Sequence, residues 1–116
     1  MPIVDVEIVG ARSLGGLAQE IADDVGDAFG ASAGKVWVRL RALEAGNYAE
    51  NRTQAPMPVF VSVLASAPPE GEALEALVGR ITQAVARRTG RAADLVHVVF
   101  EPAARGRIAF GGRLVK

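Results

Sequence analysis

Residues 1–9 read Met-Pro-Ile-Val-Asp-Val-Glu-Ile-Val, and this stretch decides how the rest of the chain is interpreted. From position 4 to position 8, three apolar residues alternate with two acidic ones, which is the pattern of a β-strand buried on one face. Removal of Met1 would expose the secondary amine of Pro2. An α-amine titrates at about 7.7–8.0, and apolar surroundings lower its pKa. The stretch therefore predicts a strand whose proline is either a plain strand start or a general base near neutral pH.

A second stretch repeats the first one. Residues 57–63 read Met-Pro-Val-Phe-Val-Ser-Val, and Pro58 follows Pro2 by 56 residues. Further on, Gly-Asn-Tyr-Ala at 46–49 is echoed 60 residues later by Gly-Arg-Ile-Ala at 106–109. An internal repeat of this kind indicates two copies of one structural unit. We expect a single domain, 1–116, made of two β-α-β pseudo-repeats over 1–56 and 57–116.

Composition excludes several classes of function. The 116 residues are 50% hydrophobic and 22% charged, which is typical of one globular domain. Thirteen basic residues balance thirteen acidic ones, which argues against nucleic acid or a membrane surface as a partner. With no cysteine and the single His97, no metal site is expected, and no motif implies a cofactor. The lack of a long apolar run or a signal peptide favours a cytoplasmic protein.

Hydrophobic spacing predicts a helix between two strands in each unit. In the first unit we expect a strand over 1–9, a helix capped by Ser13 and stopped at Gly30, and a strand over 35–43. In the second unit we expect a strand from Val59 to Leu64, a helix from Glu70 to Gly90 and a strand from Leu95 to Glu101. A short hairpin with a glycine turn over 110–115 is expected to follow. Because a strand–helix–strand crossover returns the second strand parallel to the first, the chain is predicted to be α+β. Its two units form a four-stranded mixed sheet with two helices on one face.

The other face of this sheet is expected to carry charge, and it is either exposed to solvent or covered by another subunit. Asp5 and Glu7 share that face with Arg39 and Arg41, so cross-strand ion pairs are expected. The third strand is largely apolar on both sides, which favours an oligomer. Four arginines are interpreted as the solvated face and end of the second helix: Arg80, Arg87, Arg88 and Arg91.

These features resemble the tautomerase superfamily, whose members share a β-α-β unit and an amino-terminal proline exposed by methionine removal. Short members such as 4-oxalocrotonate tautomerase (4-OT) are single units, and longer ones fuse two units and form trimers. Met1-Pro2-Ile3 and the stretch Gly-Ala-Arg-Ser at 10–13 look like the start of 4-OT, in which an arginine at the position of Arg12 holds a substrate carboxylate. Tyr48 lies where the family places an aromatic residue over the proline pocket. Phe110, followed by two glycines, is similar to the closing hairpin of the family.

The chain also departs from the family pattern. A second family arginine is matched by Trp37 in the first unit and His97 in the second. Arg39 lies two residues further on and could substitute only if the strand register differs. Residues 47–51, Asn-Tyr-Ala-Glu-Asn, resemble a segment of trans-3-chloroacrylic acid dehalogenase, in which a glutamate at the position of Glu50 activates water while the proline acts as an acid. Glu50 therefore distinguishes a tautomerase from a hydratase or dehalogenase relative, unless it is a solvated loop residue.

The resemblance implies a homotrimeric tautomerase or isomerase of small 2-oxo or unsaturated carboxylic acids, with Pro2 as general acid and base. One alternative is a hydratase or dehalogenase relative that uses Pro2 and Glu50, and another is a non-catalytic trimer if Met1 is retained. Pro58 cannot replace Pro2, because its nitrogen is an internal amide. The implied catalytic residues are Pro2, Arg12 and Glu50, and the implied substrate-binding residues are Arg39, Tyr48, Asn51 and Phe110.

Overall fold

Alternating valines and isoleucines form the centre of a four-stranded sheet in the computed structural model, which describes residues 2–116. The sheet strands are β1 (Ile3–Val9), β2 (Trp37–Leu43), β3 (Val59–Leu64) and β4 (Val96–Phe100). The helices are α1 (Leu17–Phe29) and α2 (Gly71–Thr89), and a small hairpin is formed by β5 (Ala109–Phe110) and β6 (Arg113–Leu114). Short 3₁₀ turns at Ala45–Asn47 and Ala93–Leu95 follow β2 and precede β4.

Two β-α-β units join through their first strands. The strand order is β2-β1-β3-β4, in which β1 pairs parallel to β2, β3 pairs parallel to β4, and the central pair β1–β3 is antiparallel. The predicted α+β fold, with its mixed four-stranded sheet, is therefore confirmed. Because the two first strands run in opposite directions, equivalent ends of the two units lie at opposite ends of the molecule.

Both helices pack on one face of the sheet. The face of β1 and β3 that they cover consists of fully buried aliphatic side chains, namely Val4, Val6, Ile8, Val59, Val61 and Val63. The helices contribute Ile21, Val25, Leu77, Ile81 and Val85 to the same cluster. The opposite face has no covering layer among the described residues, and we refer to it as the open face.

One predicted helix boundary was wrong. Helix α1 begins at Leu17, after Gly16 in the left-handed conformation (φ 73°), and not at Ser13. The pair Gly15-Gly16 lacks side chains that favour a helical turn, so Ser13 only accepts a weak hydrogen bond from the Gly15 amide, at 3.5 Å. The predicted stop at Gly30 is confirmed, with φ 63°. The other predicted ends agree to within two residues.

The open face carries the predicted ion pairs. Arg39 binds the two carboxylate oxygens of Asp5 through Nε and Nη2, at 2.6 and 2.8 Å. Arg41 Nη2 lies 3.7 Å from the same carboxylate. The hydrogen bonds from Arg39 are the main reason why the pKa of Asp5 is lowered. Among the described residues, Asp5 and not Glu7 thus forms the ion pairs with both arginines.

A second ion-pair group joins α1 to α2 and makes stability depend on pH. Asp24, whose side chain is only 12% exposed, binds Arg88 and Arg87 at 2.6 and 3.1 Å. The hydrogen bond from Arg88 is the largest cause of a pKa lowered below the usual 3.8. A lowered folded-state pKa contributes stability above pH 3.8, and that contribution is lost as the pH falls through the folded-state value.

We expect Asp24→Asn to lower the melting temperature at neutral pH and to lose this effect in acid, where the wild-type carboxylate is also neutral. Melting curves of both proteins from about pH 7 down to about pH 2 measure the difference, because the lowered pKa keeps Asp24 charged below its usual titration range. Asp23→Asn is the matched control, because Asp23 is exposed and contacts only Gln19, at 2.9 Å. A difference in melting temperature between Asp24→Asn and the wild type that stays constant over this pH range would contradict the prediction.

Candidate active site

Pro2 lies at the entry to the central strand β1 and is buried. Its carbonyl oxygen accepts a hydrogen bond from the Trp37 amide at 3.1 Å, and the next residue, Ile3, pairs with Trp37 on one side and Leu64 on the other. Backbone pairing on both sides holds this end of the strand in place. The predicted removal of Met1 concerns a residue outside the described part of the chain, and it stays a prediction.

The closing hairpin reaches the same end of the sheet. The Phe110 ring packs edge-on against Trp37, with ring centroids 4.9 Å apart and planes at 83°. The hairpin turn needs glycine, because both Gly111 and Gly112 have positive φ angles, 59° and 83°. Pro2, Trp37 and Phe110 together define what we call the proline end.

Arg12 lies beyond the opposite end of β1. The chain leaves the strand through Gly10, whose positive φ of 75° favours glycine because other side chains are strained in this conformation. Arg12 itself is exposed and makes no hydrogen bond or ion pair with another described residue. At about 3.3 Å per strand residue, Pro2 and Gly10 are roughly 25 Å apart. Within one chain, Arg12 cannot touch a substrate that lies on Pro2.

The loop residues predicted to bind substrate lie at the Arg12 end as well. The Tyr48 hydroxyl donates a hydrogen bond of 2.6 Å to Glu50 Oε2, and this bond is the main cause of the raised pKa of Tyr48. The Tyr48 ring contacts Phe60, with centroids 5.7 Å apart. Asn51 is exposed in the turn that follows. We call the region of Arg12, Tyr48 and Glu50 the arginine end.

Strand direction explains why the predicted site residues divide into two groups. Parallel β2 ends beside the end of β1, as the hydrogen bond of 2.7 Å from the Gly10 amide to the Leu43 carbonyl shows. The loop that directly follows Leu43, with Tyr48 and Glu50, therefore lies at the same end as Arg12. Phe110 lies with Pro2, and Arg39 lies between the two ends on the open face. The observed register sets Trp37, and not Arg39, beside Pro2.

The arginine end contains the repeat-related proline. The Val9 amide donates to the Pro58 carbonyl at 3.1 Å, so Pro58 enters β3 next to the exit of β1. Pro58 is as buried as Pro2, but its nitrogen is an internal amide without a basic lone pair. The position that repeats Pro2 is thus chemically inert.

A cleft of about 440 Å³ opens at the arginine end, between the loop after β1 and the end of α2. Its charged lining residues are Arg12, Arg88, Arg91 and Glu20. The sequence suggested only a solvated helix end for Arg91. No local motif marks it, because its place beside Arg12 results from the contact between two distant segments.

Residues 2–116 contain no group of three or more His, Asp or Glu side chains placed to hold a metal ion. No helix in the described part of the chain is both long and apolar enough to span a bilayer.

Comparison with known proteins identifies the fold. No protein-family model and no curated protein matches the sequence. Among solved structures, a wild-type fused 4-OT described as a symmetric trimer is 19% identical, with a TM-score of 0.79 over 97% of this chain and 94% of that one. A malonate semialdehyde decarboxylase inhibited by 3-bromopropiolate is 23% identical, with a TM-score of 0.73 over 94% and 88% of the two chains.

A macrophage migration inhibitory factor homologue from Prochlorococcus marinus is similar over 98% of this chain and 99% of its own, with a TM-score of 0.78 and 14% identity. The chain therefore shares the fold of these proteins over nearly its full length, which is the fold that the resemblance implied. The same fold carries proteins with different names and activities, so the site residues have to decide the function.

Proposed function

We propose that the chain is a member of the tautomerase superfamily that acts as a tautomerase or isomerase of small 2-oxo or unsaturated carboxylic acids. The single observation that carries this proposal is the position of Pro2. In a fold shared with a fused 4-OT over 97% of the chain, Pro2 is the buried residue that enters the central strand. Its carbonyl accepts from the Trp37 amide, and the next residue, Ile3, is paired on both sides.

The proposed chemistry uses the Pro2 amine after Met1 has been removed. The neutral amine takes a proton from the carbon next to a substrate carbonyl, an enol or enolate forms, and the ammonium returns the proton to another carbon of the same molecule. This step needs the neutral form of the amine, which apolar surroundings favour because they disfavour the charged form. A guanidinium binds the substrate carboxylate through two parallel hydrogen bonds.

Arg12 can supply that guanidinium only from a second copy of the chain. Roughly 25 Å of strand separates it from Pro2 of its own chain, whereas a neighbouring copy can bring its arginine end against the proline end. The trimeric state of the fused 4-OT supports an assembled site of this kind. The proposed active unit is therefore a homotrimer with Pro2 and Arg12 from different chains.

The open face has the composition of a subunit contact. It exposes Trp37 by 42%, Phe60 by 36% and Val99 by 56%, beside the Asp5–Arg39 ion pair. Large apolar side chains without a covering layer are typical of protein interfaces.

We expect Val99→Asp to raise the concentration needed for assembly by at least about tenfold, because a buried unpaired carboxylate opposes association. Sedimentation over a dilution series measures the shift. Val99→Thr keeps the shape of the side chain without a charge and serves as the control. Equal assembly of the aspartate and threonine variants would show that this face lies outside the interface.

The proposed activity is tested by intact mass and by ketonisation of phenylenolpyruvate on the same sample. Loss of one methionine mass, together with turnover that depends on Pro2, supports the tautomerase. A native, untagged protein that keeps Met1 and lacks turnover indicates instead a non-catalytic trimer, because its Pro2 nitrogen is an amide.

A hydratase or dehalogenase relative is the second candidate, and one observation favours it. The Tyr48 hydroxyl holds Glu50 at 2.6 Å, so this loop carboxylate is half-buried and oriented, unlike a solvated one. In this reaction Glu50 of one copy would draw a proton from water while protonated Pro2 of another delivers one to the unsaturated acid. Hydration of 3-chloroacrylate that Glu50→Gln abolishes, in a protein inactive on the enol, would favour this chemistry.

A further inference from the structure

Met57 lies at the arginine end, in the connection that leads into β3, and it is 41% exposed. The other large apolar side chains with comparable exposure lie on the open face or in the closing hairpin, and they are Trp37, Phe60, Val99 and Leu114. The chain has no cysteine and two methionines. Once Met1 is removed, as the proposed function requires, Met57 carries the only sulfur atom of the chain.

The sulfur atom of Met57 lies over the first residue of the loop that carries Arg12. A Cβ atom at Gly10 would be 2.7 Å from Met57 Sδ, whereas the adjoining carbons Cε and Cγ would be 3.6 and 3.7 Å from it. Gly10 is also held by the hydrogen bond of 2.7 Å from its amide to the Leu43 carbonyl. The thioether therefore packs directly on the backbone that leads to Arg12.

Two hydrogen bonds hold the backbone at Met57 in place. The Met57 carbonyl oxygen accepts from Arg91 Nη1, and the carbonyl of the next residue, the buried Pro58, accepts from the Val9 amide at 3.1 Å. Because this backbone is anchored, a larger and more polar group at the sulfur has to be accommodated by rotation of the Met57 side chain or by displacement of the Gly10 loop. Either change breaks the contact between Sδ and Gly10.

We infer that Met57 is a modification site, at which oxidation by a peroxide to the sulfoxide breaks the contact with Gly10 and loosens the loop that carries Arg12. A lone pair of Sδ attacks one oxygen of the peroxide, the S–O bond forms as the O–O bond breaks, and water leaves when the peroxide is hydrogen peroxide. Sulfur loses two electrons, and the peroxide gains them. The product is polar and favours water over packing on the Gly10 backbone.

The test treats the assembled, demethionylated protein with a small excess of hydrogen peroxide. Intact mass and peptide mapping should show the gain of one oxygen atom at Met57, and the amide chemical shifts of Gly10 and Arg12 should move. The value of kcat/KM for phenylenolpyruvate should fall by about tenfold, because displacement of a positioning residue weakens the productive geometry. Methionine sulfoxide reductase with a dithiol should restore the thioether, the chemical shifts and the turnover, while the dithiol is oxidised to a disulfide.

Met57→Leu is the matched control, because leucine has a similar volume and no sulfur atom. After the same treatment with peroxide, this variant should gain no oxygen atom and keep its chemical shifts and turnover. Met57→Gln carries a polar group at the same place without any oxidant. It should shift the amides of Gly10 and Arg12 in the direction that oxidation of the wild type shifts them.

The effect on turnover rests on the proposed function, whereas the modification and the change in the loop are measured without turnover. A wild-type Met57 that resists peroxide under conditions that oxidise free methionine, or a sulfoxide that leaves the amides of Gly10 and Arg12 unchanged, overturns the inference. Amide shifts on oxidation, in a protein whose turnover does not depend on Pro2, support the inference and reject the proposed function. Turnover that depends on Pro2, in a protein whose Gly10 and Arg12 amides do not respond to oxidation of Met57, does the reverse.

Discussion

Replacing Pro2 with alanine is expected to lower kcat/KM for phenylenolpyruvate ketonisation by about 10²–10⁴-fold, the range that a positioned acid–base group contributes. The substitution replaces the rigid secondary amine with a primary one, while the carbonyl of residue 2, which accepts from the Trp37 amide at 3.1 Å, is retained. The loss should appear mainly in kcat, because carboxylate binding by an arginine remains.

Pro58→Ala is the control for Pro2→Ala. Pro58 occupies the repeat-related strand entry and is equally buried, but its nitrogen carries no basic lone pair. A further form, with two residues added before Pro2, keeps the ring and converts its nitrogen to an amide, and it should be inactive. Unchanged turnover in this blocked form would rule out the amine mechanism, whatever the alanine variant does.

The fold could be predicted because the hydrophobic pattern and the charges at the helix ends indicated the same elements. The mainly apolar run of β3 was predicted as a strand from Val59 to Leu64, with the same bounds as in the structure. Acidic residues early and Arg87 and Arg88 late in α2 complement the helix dipole, so its length was predicted nearly correctly. The start of α1 was missed because Ser13 is a good N-cap by type, while the two glycines that follow it oppose a helical turn.

The site residues could be proposed one by one, but their mutual positions could not. Pro2 and Arg12 flank a single strand, so the sequence already contained the signal that they lie at opposite ends of it. The pairing of β1 with β3, which brings Pro58 and Met57 to the arginine end, depends on which strands meet in the sheet centre. For the same reason, Arg91 could not be recognised as a site residue, because it lies beside Arg12 only when β1 and β3 are paired.

Separation of Pro2 from Arg12 leads to a result that no single-chain site can produce. We expect Pro2→Ala and Arg12→Ala each to be nearly inactive alone, and a mixture reassembled from equal amounts to recover activity. A site that takes Pro2 from one chain and Arg12 from another is intact when the first is an Arg12→Ala chain and the second a Pro2→Ala chain. Random mixing makes about one quarter of the sites intact.

Reassembly after mild dissociation, with mixed oligomers verified by mass, sets up this measurement. Equal amounts of the double variant, Pro2→Ala with Arg12→Ala, and the wild type should retain about one quarter of the wild-type site activity, since both partners of an intact site must then be wild type. A mixture of the single variants that forms mixed oligomers without activity would contradict a shared site. If Arg12→Ala alone stays active, Arg12 serves another ligand, and the carboxylate at Pro2 has to be bound by a different cation. Within one chain, Pro2 and Arg12 lie roughly 25 Å apart along β1. Recovery in the mixture would establish that the proline end of one chain and the arginine end of the next form one active site in the oligomer.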